Sequence, residues 1–240
     1  MAKIKDSKPK TSSGGYERVF NDKQIGDIIQ KVQSTVIRNG NELEGIIKQQ
    51  TSLISDLLAF TNDVKNDLIN NGIYLCPKNA KNRRLFVPRG HDPDLLIFTL
   101  CNETKKCFIV ELKDGDQFDT KKSDGEKASL IECYNFIRNK IPFIPDYYVC
   151  CFNQSNEKAI VDGFKGRFDI NHVLTGSRLC EILNINYENI INNRKLDAEE
   201  NVKYFVSELL KSSLILSKIS TEKRKYINEK SFYSENEESN

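Results

Sequence analysis

Residues 94–100 read Asp-Leu-Leu-Ile-Phe-Thr-Leu, a nearly continuous apolar run of the kind expected for a central strand buried on both faces. A second such run, Cys107 to Leu112, follows it, and Asn102 to Lys106 between them predicts a hairpin turn. A short extended segment, Arg84-Leu-Phe-Val87, precedes both and ends at Pro88. Downstream, Ser123-Asp-Gly-Glu126 fits a capping box, whose serine and glutamate satisfy each other's exposed N–H groups at a helix start. That helix would bury Leu130, Ile131, Tyr134 and Ile137. Pro142 and Pro145 close the connection to a further strand, Tyr147 to Phe152.

Ahead of these strands, Leu43, Ile46, Ile47, Ile54, Leu57 and Leu58 recur at helical spacing and predict a helix over about 42–60, with Asn41 as its N-cap. A weaker continuation through Val64 and Leu68 stops at Asn71-Gly72. The order is α-β-β-β-α-β, a hairpin-containing sheet followed by a crossover helix and a parallel strand. The expected class is α/β, with a mixed central sheet flanked by helices. After Phe152 the pattern weakens: residues 160–178 read as loop and short strand, and Ser177 would cap a short helix through Leu183. A late helix from about Ala198 to Ser217 carries Val202, Phe205, Val206, Leu209 and Leu210 as its stripe, with Asp197 as N-cap. One domain is expected over 16–220, its core at about 40–153. A polar arm over 1–15 precedes it and a charged tail over 221–240 follows.

The chain has 240 residues, enough for one sizeable core. A formal charge of +2 excludes a strongly basic nucleic-acid coat, but leaves room for basic groups confined to one cleft. The seven cysteines show no CxxC spacing and several sit in apolar runs, so reduced, buried thiols are expected. Only His91 and His172 are available to complement a zinc site. No run approaches the ~18 apolar residues of a membrane helix. A soluble, cytoplasmic protein without a membrane partner is expected.

Three residues carry chemistry. Asp94 heads one apolar run, and Glu111-Leu112-Lys113 ends the next. Two carboxylates on neighbouring strands suit a hard divalent cation, which polarises a phosphate and acidifies a bound water. A lysine beside that water can orient it and offset charge in the transition state. The bland alternative is a surface ion pair at the strand ends.

Pro93-Asp94 with Glu111-Leu112-Lys113, on this order of elements, resembles the PD-(D/E)XK nuclease superfamily over about residues 40–153, and within it the type II restriction endonucleases. The resemblance implies a restriction-endonuclease-like αβββαβ core with extra C-terminal helices. It implies Mg²⁺-dependent hydrolysis of double-stranded DNA at a short sequence by a homodimer. Asp94 and Glu111 would be metal ligands, the Leu112 carbonyl a further one, and Lys113 the water-orienting lysine. Asp92 competes with Asp94, and the family pattern favours the acid after proline. Some members add an acid from the first helix. Glu44 is the candidate, with Glu42 second, although a helix N-terminus attracts acids without any function.

Gln117, Lys121 and Lys122, in the loop leaving the second acid, are candidate backbone contacts. Lys78, Lys81, Arg83, Arg84 and Arg89 form one basic cluster, and Lys165, Arg167, His172 and Arg178 another, from which DNA could be reached. A structure-selective nuclease of the same superfamily, or a binding module without catalysis, are the alternatives.

Overall fold

The apolar runs become the middle of a six-stranded sheet in the computed structural model, which describes residues 1–8, 14–101 and 104–224. The strands are β1 (Ser52–Leu53), β2 (Gly72–Cys76), β3 (Leu95–Cys101), β4 (Thr104–Lys113), β5 (Ile144–Cys151) and β6 (Val173–Thr175). They lie side by side in chain order. β2, β3 and β4 are antiparallel neighbours, whereas β1 pairs parallel to β2, and β4, β5 and β6 run parallel. The sheet is therefore mixed. Leu95, Leu96, Ile97 and Phe98 on β3 are all fully buried, as a strand covered on both faces requires.

Alternation along the strands splits the core in two. Leu96, Phe98, Cys107 and Ile109 pack with Phe60, Leu130 and Ile137 on one face. Leu95, Ile97, Val110 and Leu112 pack with Leu43, Ile47 and Leu179 on the other. The helices that supply these covers are α3 (Leu57–Lys65) and α4 (Thr120–Ile137) on the first face. On the second they are the end of α2 (Lys23–Gln49) and α6 (Gly176–Leu183). The remaining helices are α1 (Gly14–Phe20), α5 (Glu157–Gly163), α7 (Tyr187–Leu209) and one over 213–224. Each large apolar side chain buried this way contributes roughly 1.5–3 kcal/mol. Six of the seven cysteines are buried free thiols, and Cys101 is exposed. Among the described residues no helix is long and apolar enough to cross a membrane.

Several boundaries differ from the sequence expectation. The helix over 42–60 is two helices. α2 begins far earlier, at Lys23, so Asn41 lies inside it, and it ends at Gln49. The break holds because Ile54 donates to the Leu75 carbonyl of β2 at 2.9 Å. Asp56 then accepts the Leu58 and Ala59 N–H groups and starts α3 afresh. Residues 83–85 form a 3₁₀ turn instead of a strand, and β2 takes the place in the sheet expected for 84–87. The first turn of α4 starts at Thr120 with Asp119 accepting from Lys122, so Ser123 and Glu126 form no capping box. Thr175, not Ser177, caps α6. Asp197 sits within α7, whose start is Tyr187. Of the expected hairpin turn, residues 102–103 lie outside the described residues, and Lys105 and Lys106 are already in β4.

Contacts group the described chain into two compact units. Gly40–Ile191 contains the whole sheet; Met1–Asn39 with the chain from Asn192 onward forms a helical unit. In the latter, residues 1–7 of the expected arm are tied down. The Ala2 N–H donates to Asn39 Oδ1 at 2.9 Å and the Ile4 N–H to Asn201 Oδ1 at 2.8 Å. Residues 225–240 of the expected tail, and 9–13 of the arm, lie outside the described residues.

Two glycines shape the loops at the carboxyl ends of β4 and β5. A Cβ on Gly163 would lie 1.9 Å from the Asp116 carbonyl oxygen, and one on Gly176 2.1 Å from that of Phe152. Neither backbone approach leaves room for a side chain.

Candidate active site

Because β3 and β4 are antiparallel, with Leu95 opposite Val110, the start of β3 and the end of β4 meet at one edge of the sheet. Asp94 stands just before β3, and its Oδ2 accepts the Leu112 N–H at 2.8 Å. Glu111 and Lys113, two apart on β4, point to one face, and Leu112 between them enters the opposite core. Lys113 Nζ donates to Glu111 Oε1 at 2.7 Å and to Glu126 Oε1, on α4, at 2.6 Å. Lys78, two residues past β2, donates to Asp94 Oδ1 at 2.6 Å and lies 3.9 Å from Glu44 Oε1. Glu44 on α2 also holds Lys48 at 3.1 Å. The result is an alternating chain of acids and ammoniums at the sheet edge, with the side chains of Asp94, Glu111, Lys113 and Glu126 all under a fifth exposed.

Arg83 separates the two acids around Pro93. Expected at a DNA surface, it is instead 2% exposed. Its guanidinium donates to Asp92 Oδ1 and to the carbonyls of Cys76 and Pro93. That fork holds Asp92 away from β4 and leaves Asp94 facing Leu112. Burying an arginine is tolerated only with such partners.

The electrostatics are those of crowded carboxylates. Burial, and then the Asp94 charge, push the Glu111 carboxyl up to about 7, with Lys113 pulling the other way. Burial lowers the affinity of the Lys113 ammonium for its proton, but Glu111 and Glu126 outweigh it and the net shift is upward. At Lys78 burial likewise opposes Asp94 and Glu44, and the acids prevail. Among the described residues no three His, Cys, Asp or Glu side chains converge as a ready-made metal cage. The chemistry of the donors nevertheless fits a hard cation. Asp94 and Glu111 offer oxygen only, each is now neutralised by a lysine, and their mutual repulsion is what a divalent ion relieves.

The other candidates scatter. Gln117 is exposed on the segment leaving β4, Lys121 and Lys122 are exposed in the first turn of α4, and Lys122 Nζ lies 5.1 Å from the centre of the Phe118 ring. That segment is anchored: the Phe118 N–H donates to the Gly163 carbonyl, and Gln154 donates to Asp116 Oδ2 at 2.7 Å. Arg84 and Arg89 are exposed beside a depression of about 380 Å³ shared with Pro88 and Gly90. Lys165 is exposed in a left-handed turn (φ 55°), and Arg167 pairs with Asp124 at 3.0 Å. Arg178 pairs with Glu181 at 2.6 Å and borders an open groove of about 700 Å³ with Ser155, Asn156, Lys158 and Ser177. Parallel pairing sets Lys113 level with Cys151 and Cys151 level with Thr175, so this groove opens at the same sheet edge as Lys113. His172 packs against Tyr147, with ring centres 4.2 Å apart and planes tilted by 39°, and is partly buried.

The sequence alone did not single out Lys78 or Glu126 for this site. The signal for Lys78 was the strand Gly72–Cys76 just before it; Glu126 was assigned to a local cap that does not form.

The chain is 44% identical over 206 residues to the type II restriction enzyme HhaII of Haemophilus parahaemolyticus, a match that covers 84% of this chain and 90% of that protein. No family model matches the chain, and no solved structure matches it.

Proposed function

The chain belongs to the type II restriction enzymes, and from that premise we propose that Asp94, Glu111 and Lys113 form its catalytic centre, with Mg²⁺ as cofactor and a PD-(D/E)XK-type core around them. The observation that carries this assignment is the bond from the Leu112 N–H to Asp94, which sets the acid before β3 against Glu111-Leu112-Lys113 on β4.

Asp94 and Glu111 would hold the ion. On a strand the N–H and C=O of one residue point to the same side, so the Leu112 carbonyl faces Asp94 and is the third oxygen we assign. Glu44, joined to Asp94 through Lys78, is the outer acid of the set. A magnesium ion bound there supplies Lewis acidity towards a phosphate oxygen and lowers the pKa of its water. Lys113 is fixed between Glu111 and Glu126, so its ammonium is preorganised to orient the attacking water and to offset charge as it develops on the phosphate. Lys78 offers a second positive donor at the same edge. Duplex DNA would lie along that edge, reached by Gln117, Lys121, Lys122, Arg84, Arg89, Lys165 and Arg178; Arg83 is withdrawn from the set by its burial, and Arg167 reaches DNA only by releasing Asp124. A short palindromic site would be read by a homodimer, whose symmetry it mirrors.

The test is incubation of the purified chain with phage-length duplex DNA in Mg²⁺ or in EDTA. Discrete, metal-dependent fragments are expected. Uncut duplex in both, or a metal-independent smear, would overturn the proposal.

A further inference from the structure

Lys78 occupies the oxygen of Asp94 that the backbone leaves open. Asp94 Oδ2 accepts the Leu112 N–H at 2.8 Å, so Oδ1 is the oxygen left for a ligand, and there Lys78 Nζ donates at 2.6 Å. The same ammonium lies 3.9 Å from Glu44 Oε1. Burial works against its charge, but Asp94, Glu44 and Glu111 outweigh burial and the group stays an ammonium. It sits among the acids assigned above to the divalent ion, with one positive charge where that ion would bring two.

Lys78 and Lys113 are not held alike. Lys113 is 16% exposed and is gripped by Glu111 on β4 and Glu126 on α4. Lys78 is 41% exposed and bonds closely to Asp94, with Glu44 farther off. Its main chain is fixed: Pro77 before it is buried and accepts the Ala80 N–H at 3.0 Å, and the Cys76 carbonyl is held by Arg83. A flexible four-carbon stem on a fixed main chain lets the ammonium swing away from Asp94 without moving β2. Of the two cations, Lys78 is the one that can be released.

We propose that Lys78 is a displaceable counter-ion: it holds the cation's place on Asp94 in the metal-free protein and moves to a DNA phosphate when duplex binds, which opens Oδ1 to Mg²⁺. The inference rests on the metal centre of the proposed function. An ammonium and a divalent ion repel each other at one carboxylate oxygen, whereas a phosphate takes the ammonium and leaves that oxygen free. Lys78 thereby couples the two ligands. Each strengthens the binding of the other by one common factor, since coupling between two sites is reciprocal. The acids stay neutralised until a phosphodiester is in place.

The test is calorimetric titration of Mg²⁺ alone into the full chain without DNA, for wild type, Lys78→Gln and Lys78→Arg, with circular dichroism on each. Lys78→Gln removes the charge, and should bind Mg²⁺ at least about tenfold tighter than wild type. Lys78→Arg keeps the charge and should bind no tighter than wild type. In EDTA, Lys78→Gln should bind phage-length duplex DNA more weakly, with a salt dependence lower by about one phosphate contact. Mg²⁺ binding by Lys78→Gln that is absent or no tighter than wild type, or duplex binding that is unchanged, overturns the proposal. If Lys78→Gln unfolds without metal, refolding in millimolar Mg²⁺ upholds it and failure to refold overturns it. Cleavage by the wild type separates this role from the centre itself. Where the role of Lys78 fails, fragments that still need Mg²⁺ and Asp94 leave the centre standing, and fragments that need neither remove both.

Discussion

Burial and the adjacent Asp94 raise the Glu111 carboxyl to about 7 from its usual 4.5. Between those values the folded protein keeps a proton that the unfolded chain has lost. Stability from protonated Glu111 is therefore complete below about 4.5 and is lost as pH rises towards 7, on the order of 3 kcal/mol in all. The metal-free protein should lose Tm between pH 5 and 8, and Glu111→Gln should flatten that loss. Mg²⁺ should raise the wild-type Tm more at pH 8 than at pH 5.5, because it relieves the same repulsion. Equal Mg²⁺ effects at both values in a thermal melt would count against Glu111 as a ligand. Glu126→Gln tests how Lys113 is held. It keeps the shape but removes one of two anchoring charges, so cleavage should slow about tenfold, against roughly 10²- to 10³-fold for Lys113→Ala. At this scale the sequence pointed to Asp94, Glu111 and Lys113 because the first heads one apolar run and the other two end the next. Lys78 and Glu126 were hidden, since both reach the site through contacts between elements distant in sequence, 16 and 13 residues from their partners.

Elements with a strong pattern of their own were legible. β3, β4, β5 and α4 follow from continuous apolar runs and a helical stripe. The 42–60 segment misled because its apolar spacing stays helical across a break that a sheet contact imposes: Ile54 bonds to β2, and Asp56 restarts the helix. Residues 84–87 looked extended, but Arg83 beside them is buried and pulls the segment into a turn around its guanidinium. Removing that anchor by Arg83→Ala leaves the Cys76 and Pro93 carbonyls unpaired and should cost about 3 kcal/mol in urea unfolding, with cleavage lost as Asp94 drifts. Gly163→Ala would press a methyl into the Asp116 carbonyl and displace the segment that leaves Lys113. It should lower both Tm and the cleavage rate, whereas Gly115→Ala, which meets nothing within 4 Å, should change Tm little.

At the scale of the whole molecule the balance of charge, +2 overall, leaves DNA binding to local groups. Removing Lys121 and Lys122 together should weaken binding about equally on all sequences and lower the salt dependence by about two phosphate contacts. The helical unit joins segments from both ends of the chain, a grouping that no local sequence pattern carries. The claim that Asp94, Glu111 and Lys113 do the chemistry is tested most directly by single-turnover cleavage of one duplex by wild type and Asp94→Asn in Mg²⁺. The account predicts fixed fragments from the wild type and a loss of at least about 10³-fold in the variant, which keeps its fold. An Asp94→Asn protein that cuts the same fragments at the wild-type rate would contradict it and place the centre elsewhere.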